Sequence, residues 1–135
     1  MAAAREATLS NIKPLNGSIV RRYTAGSAIV PGEAVCMSAD GAIDPADGSN
    51  VATTWPLGVA LTGLNRAAAF AAGDLVDVVV FGPVQVLTGA TPGTLIYVSD
   101  DAGEYGEAVG TKDAIIGFAE SATVLFVRPQ LIDLS

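Results

Sequence analysis

Glycine, proline and aspartate interrupt this chain so often that most of the apolar segments between them are too short for ordinary helices. The sequence has 15 Gly and 7 Pro in 135 residues. Most of the intervening segments are rich in Val, Ile, Leu and Phe, which favour strands. Many short strands separated by turn residues predict an all-β fold, a small barrel or sandwich. The predicted strands are Ile19–Tyr23, Glu33–Met37, Ala42–Ile43, Leu57–Leu61, Leu75–Phe81, Val84–Leu87, Leu95–Ser99, Ile115–Ala119 and Val124–Val127.

The residues between the strands predict how the chain turns. Asp40-Gly41 predicts a hairpin turn, because glycine accepts the positive φ that tight hairpins need. Gly82-Pro83 predicts a bulge or kink between two strands, since proline cannot donate to a strand ladder. Residues 44–53 are rich in turn formers and predict a loop. The Ala-rich stretch Asn65–Ala72 predicts one short helix that ends at Gly73.

Two halves of the chain resemble each other. The matched segments, in the same order in both halves, are 31–40 with 92–101, 57–60 with 116–119, and 78–83 with 124–129. We infer two related β units packed around one core, with chance similarity in a Gly-rich chain as the alternative. Gly58 and Gly117 hold matched places inside apolar strands, where glycine indicates a bend or a close backbone contact.

The length suits one domain with one core. Residues 1–17 lack a regular apolar period and contain Pro14 and Gly17, which break helices. We interpret them as an extended N-terminal arm that packs on a neighbouring subunit, with a frayed terminus as the equal alternative. Residues 18–135 form the predicted barrel or sandwich domain.

Charge and composition argue against several classes of protein. The net charge is −7 with only 7 basic residues, whereas nucleic-acid binding needs clustered Lys and Arg. No apolar run could span a bilayer, and the N-terminus lacks the apolar core of a signal peptide. We expect a protein made in the cytoplasm that binds neither nucleic acid nor membrane. Its charged fraction of 16% is below the average of about 25%, which hints that partners cover part of the surface.

The residue types also argue against catalysis. The sequence has no histidine, so the commonest general base and metal ligand is missing. Asp100, Asp101 and Glu104 favour a solvated acidic turn over a calcium loop, because the EF-hand spacing is absent. Lys112 lies in a setting faintly similar to the lysine of a lipoyl carrier, but its flanking residues do not match. We predict no enzyme, and no catalytic residue, cofactor or metal.

Cys36 is the single cysteine, so no intrachain disulfide can form. It stands between Val35 and Met37 in a predicted strand and has no cationic neighbour in the sequence. We therefore expect a thiol that is packed in the core or lies on the strand surface, and not a reactive one.

The strand motifs together match a pattern known from a protein family. The residues that carry it are Leu57–Ala60, Gly73–Gly82, Ile96–Val98, Ile116–Ala119 and Val124–Val127. From roughly Ala28 to Pro129 the chain resembles a family of small phage proteins that decorate capsids and are often mislabelled as phage recombinases. The Asn65–Ala72 stretch and the N-terminal arm depart from the family pattern, which leaves the mode of capsid attachment open.

The resemblance implies a structural role in the virion. It implies a β-barrel or sandwich, often a homotrimer, on the outer surface of a tailed-phage capsid. The partner would be the major capsid protein, and the protein would clamp neighbouring capsid subunits against the pressure of packaged DNA. The alternatives are another virion β-module, such as a head-fibre base or tail component, and less favourably a carrier or ligand-binding β domain.

Four residues are candidates for the interface with such a partner. Arg21, Arg22 and Tyr23 combine the one basic pair with an aromatic neighbour, and capsid exteriors are often acidic, so ion pairs to a partner are expected. Trp55 stands at a loop–strand boundary before Pro56, where it would complete the core or anchor an interface. The alternative for the arginines is one solvated and one packed side chain.

Overall fold

The computed structural model describes residues 4–5, 11–48, 56–62, 69–111 and 114–131, which form antiparallel β structure. The strands are β1 Ala4–Arg5, β2 Lys13–Pro14, β3 Ile19–Thr24, β4 Ala34–Met37, β5 Ile43–Pro45, β6 Gly58–Ala60, β7 Leu75–Gln85, β8 Leu87–Thr88, β9 Leu95–Val98, β10 Tyr105–Gly106, β11 Ala114–Ala119 and β12 Val124–Leu131. The all-β prediction is confirmed. None of the helices in the part described is long and apolar enough to cross a membrane.

The main sheet is built from two units with the same internal order. Its strands run β10-β9-β11-β12-β7-β6-β4-β5. Counted from either end toward the central β12–β7 pair, the second strand of each group along the chain comes first, then the first, third and fourth. We call β4–β7 the first unit and β9–β12 the second unit. The inferred repeat is therefore confirmed, and the two units join through antiparallel pairing of β7 with β12.

The matched glycines occupy equivalent places in the two units. Gly58 pairs with Val35 and Gly117 pairs with Ile96. A Cβ on Gly58 would lie 2.0 Å from the carbonyl oxygen of Val79, and one on Gly117 would lie 1.9 Å from that of Phe126. Both positions need glycine because the neighbouring strand's backbone occupies the space, as predicted.

The third matched segment is shifted by one residue from its sequence alignment. In the first unit Val59 pairs with Val79, and in the second unit Phe118 pairs with Phe126. Val79 is thus the equivalent of Phe126, and not of Leu125. Both stretches are runs of apolar residues, so side-chain character alone does not distinguish the two alignments.

Two apolar clusters lie on opposite faces of the first unit. The main core fills the space between the units and includes Val59, Val79, Ile96, Ile116 and Leu125. The small core includes Val35, Ile43 and Val78, and is closed by Ala25, Ile29 and Phe70. Full burial of each such aliphatic side chain contributes about 1.5–3 kcal/mol, so these two clusters hold the fold together.

Strand β7 organises the molecule because it is long enough to pair with several others. Its N-terminal half lies between β3 and β6, and its C-terminal half between β2 and β12. It runs through Gly82-Pro83 as one strand, so the prediction of two strands is wrong there. The predicted irregularity is present: the register shifts between Ile19 and Val20, and Gly82 has a φ of 105°.

The predicted helix over Asn65–Ala72 is wrong where it can be compared. Residues 65–68 lie outside the described residues. Phe70 exchanges backbone hydrogen bonds with Ile29, at 2.7 and 3.1 Å, and its ring is buried in the small core. Burial of this ring and pairing of its backbone override the helical propensity of the neighbouring alanines. Gly73, with a φ of 94°, serves a turn closed by the Asp74 N–H and the Ala71 carbonyl.

Two other predictions are modified. The hairpin at Asp40-Gly41 is confirmed, with Gly41 at a φ of 87°, but the loop over 44–53 starts late because Asp44 and Pro45 belong to β5. Residues 49–53 lie outside the described residues. The described parts of segment 1–17 pair with the same chain, β1 with β8 and β2 with β7. The domain boundary after residue 17 stays a prediction.

Candidate binding face

A row of large apolar side chains crosses the outer surface of the sheet. Ile19 pairs with Phe81, and the ring of Phe81 meets that of Phe126 edge-on with centroids 5.3 Å apart. Phe126 stacks on Phe118 at 5.2 Å, and Phe118 pairs with Leu95. We call these five residues the aromatic face. It runs without a break across β3, β7, β12, β11 and β9.

The outer members of this row are open to solvent. Ile19 is 52% exposed, Phe81 43% and Leu95 46%, while Phe118 and Phe126 are half-buried. Scattered exposed apolar residues are ordinary, but contiguous patches of them mark interaction sites. Ring contacts between the three phenylalanines also hold the face in one arrangement before any partner arrives.

The internal repeat allows each exposed residue of the second unit to be compared with its equivalent in the first unit. In the first unit the equivalents of Leu95, Phe118 and Phe126 are Ala34, Val59 and Val79. Those three are buried in the main core, because the second unit covers them. The same surface of the second unit carries larger side chains with no equivalent cover among the described residues.

Three basic side chains lie beside this row, although the whole protein is acidic. Lys13 and Arg21 share the side of Ile19 and Phe81 by their pairing and alternation, and Arg128 follows Phe126 by two positions. All three are exposed, and none has an ion pair among the described residues. Strands β2, β3, β7, β9, β11 and β12 contain one acidic residue, Asp77, and Arg22 pairs with it. A chain of net charge −7 thus places three basic side chains beside the Ile19, Phe81 and Phe126 part of its apolar row, whereas Glu107 lies next to Thr94 at the Leu95 end.

The structure places three of the four predicted interface residues next to this face. Arg21 and Arg22 are exposed on β3, and Tyr23 is half-buried against the small core. The Nε of Arg22 donates to Asp77 Oδ1 at 2.9 Å, and this carboxylate raises the pKa of the guanidinium. Trp55 lies outside the described residues.

An open apolar groove of about 540 Å³ adjoins the aromatic face. It is lined by Met37, Pro56, Leu57, Val80 and Pro129. Val80 stands directly before Phe81, so the groove extends the apolar surface toward the small core. None of these lining side chains can transfer a proton, and what the groove offers a partner is apolar burial.

The acidic and thiol groups discussed above have structural contacts. Asp100 accepts hydrogen bonds from the Thr111 N–H and hydroxyl at 2.9 and 2.6 Å, which lower the pKa of its carboxyl. Glu104 pairs with Arg5 at 2.9 Å. Cys36 is buried, and burial raises its pKa to about 11, so of the two expected placements it takes the packed one and not the strand surface. No cluster of potential metal ligands occurs in the part of the chain described here, and Lys112 lies outside that part.

Comparison with known proteins gives no match to a family model and no match to a curated protein. The aromatic face is therefore interpreted from its own geometry and charge.

None of the five members of the aromatic face was predicted from the sequence. The repeat contained a signal that could have found them: aligned with the first unit, the second carries Leu95 for Ala34 and Phe118 for Val59. Larger apolar residues at equivalent positions indicate that the two units bury those positions differently.

Proposed function

We propose that this protein is a structural component of a tailed-phage virion that binds the outer surface of the capsid. It clamps neighbouring major capsid subunits and works as a homotrimer without catalysis. The observation that carries the proposal is the aromatic face, an ordered apolar row bordered by basic side chains. The motif resemblance described for residues 28–129 supplies the identity of the partner.

The chemistry of the face suits an acidic protein surface. Aromatic and arginine side chains contribute most to protein interfaces, and truncating one central anchor costs about 2–4 kcal/mol of binding energy. Phe81 and Phe126 have the shape and rigidity of such anchors. The cations at the rim would pair with carboxylates of the partner and orient the encounter, although rim charges affect association rate more than affinity.

Binding to heads tests the proposal. Purified protein is mixed with expanded heads of the phage that encodes it, and the bound fraction is measured by co-sedimentation. We expect saturable binding by the unaltered protein and an affinity lowered by about thirtyfold or more for Phe81→Ser, since loss of a central anchor costs about 2 kcal/mol or more.

Val109→Ser is the matched control. Val109 is 56% exposed and lies outside the strands that form the aromatic face, so its variant should bind heads like the unaltered protein. Circular dichroism and melting temperature establish that both variants fold. Failure of the unaltered protein to bind heads would contradict the proposal, and co-sedimentation with purified tails but not with heads would favour the tail component instead.

A further inference from the structure

The outer edge of β3 is a long strand edge that no described strand covers. β3 runs from Ile19 to Thr24 and pairs with β7 on one side only. Five of its six residues are exposed and Tyr23 is half-buried. An edge of this kind presents a row of backbone N–H and C=O groups that can accept another strand.

The other ends of the sheet are much shorter. β5 has 3 residues and β10 has 2, and such short edges are protected from strand addition. Just beyond β3, the Gly26 N–H donates to the Ile43 carbonyl at 2.8 Å. This contact closes the C-terminal end of the β3 edge against β5, so residues 19–23 form the open part.

Basic side chains are concentrated along this edge. Lys13, Arg21 and Arg22 are three of the 7 basic residues in the chain, and β2 and β3 contain no acidic residue. Asp77 neutralises Arg22 from the neighbouring strand, which leaves Arg21 and Lys13 without an ion pair among the residues described. A strand with carboxylates would find complementary charge here.

The same charges disfavour a second copy of this chain as the occupant. Two β3 strands paired antiparallel about a central twofold axis would place Arg21 opposite Arg22, or one of the two arginines opposite its own copy. Like charges directly opposite each other on paired strands are destabilising. These charges therefore disfavour pairing of β3 with its own copy and favour pairing with an acidic strand.

We propose that the β3 edge binds an extended acidic segment of another protein by strand addition. Backbone hydrogen bonds to residues 19–23 supply the affinity, and Arg21 selects carboxylate side chains on the incoming strand. This inference goes beyond the proposed function, since it holds whether or not the partner is a capsid protein. It uses the backbone edge of β3 and Arg21, and not the apolar side chains of the aromatic face.

A blocked ten-residue peptide of alternating Val and Glu is the probe. Its binding is measured by fluorescence anisotropy, and amide hydrogen exchange reports which backbone groups become protected. We expect protection confined to residues 19–23, no binding of the Val–Lys peptide, and no binding of a Val–Glu peptide whose valines are N-methylated.

Arg21→Glu should lower the affinity for the Val–Glu peptide about tenfold, because an attraction about as strong as a surface ion pair becomes a repulsion of similar size. Arg128→Glu is the matched control: it changes the net charge equally on β12, which is not at this edge, and should change the affinity by less than about threefold. Equal losses in both variants, binding of the lysine peptide, or no protection at millimolar peptide would overturn the proposal. Self-association through residues 19–23 in the absence of peptide would overturn it as well.

Discussion

Replacement of Gly117 by alanine tests whether the close approach of the β11 and β12 backbones is needed for stability. The new Cβ would lie 1.9 Å from the Phe126 carbonyl oxygen and 2.9 Å from its carbonyl carbon. Real Cβ contacts do not fall below 3.0 Å, so β11 and β12 must separate by about 1 Å where they pair most closely. The obstacle is backbone of the adjacent strand and not a side chain that can rotate away.

The cost follows from what the separation disrupts. Loosening two ladder hydrogen bonds removes about 1 kcal/mol each, and misplacing Ile116, Leu125 and Val127 in the main core adds about 1–3 kcal/mol of overpacking. The expected loss is about 3–5 kcal/mol, a large part of the roughly 5–15 kcal/mol that stabilises a domain of ordinary size.

Urea unfolding followed by circular dichroism measures this loss. With a denaturant slope of about 2 kcal/mol per molar, the midpoint should fall by about 1.5–2.5 M. Gly58→Ala should behave alike, because its Cβ would meet the Val79 carbonyl oxygen at 2.0 Å. Gly41→Ala is the control, since Gly41 has a φ of +87° and nothing within 4 Å of a Cβ, and it should cost only the left-handed backbone strain of about 1–2 kcal/mol.

A Gly117→Ala midpoint within about 0.5 M of the unaltered protein would refute the reasoning, because the two strands could then separate at little cost. A large loss for Gly117→Ala with none for Gly58→Ala would refute the equivalence of the two units.

Three further predictions concern buried groups. Burial raises the pKa of the Glu33 carboxyl above 4.5 although it accepts a hydrogen bond from the Val30 N–H, so Glu33 stabilises the fold fully below pH 4.5 and loses that contribution as the pH rises through its folded pKa. Between pH 4 and pH 7, Glu33→Gln should therefore become more stable relative to the unaltered protein in urea titrations. A difference in unfolding free energy that stays constant over this range would contradict the prediction. Cys36, with a pKa of about 11, should react with a thiol reagent at pH 8 at least about tenfold more slowly in the folded protein than in urea; equal rates would contradict its packing. Tyr105→Phe removes the hydroxyl that donates to the Gly32 carbonyl at 2.6 Å and should cost about 1–2 kcal/mol of stability. Tyr97→Phe is the control: the Tyr97 hydroxyl makes no hydrogen bond with the described residues, so its loss should cost less in the same assay.

Local sequence predicted most strand positions because turn residues act over short distances. Asp40-Gly41 favours a tight turn through its own backbone preferences, and the Val-rich sequence of β7 favours a strand for the same kind of local reason. The two-residue strands β1, β2 and β10 were missed, since they have no pattern of their own and exist only through their partners. The Asn65–Ala72 prediction failed at Phe70 for the same reason: its partner Ile29 is distant in sequence.

Composition and motif order by themselves determined the fold class, the twofold internal repeat and the need for glycine at 58 and 117. Tertiary structure alone decided which side of each unit is covered. β11 and β12 are apolar on both sides, so alternation cannot tell an inner residue from an outer one. Burial depends on what packs against the strand, and only the arrangement of the two units leaves Phe81, Phe118 and Phe126 on the outside.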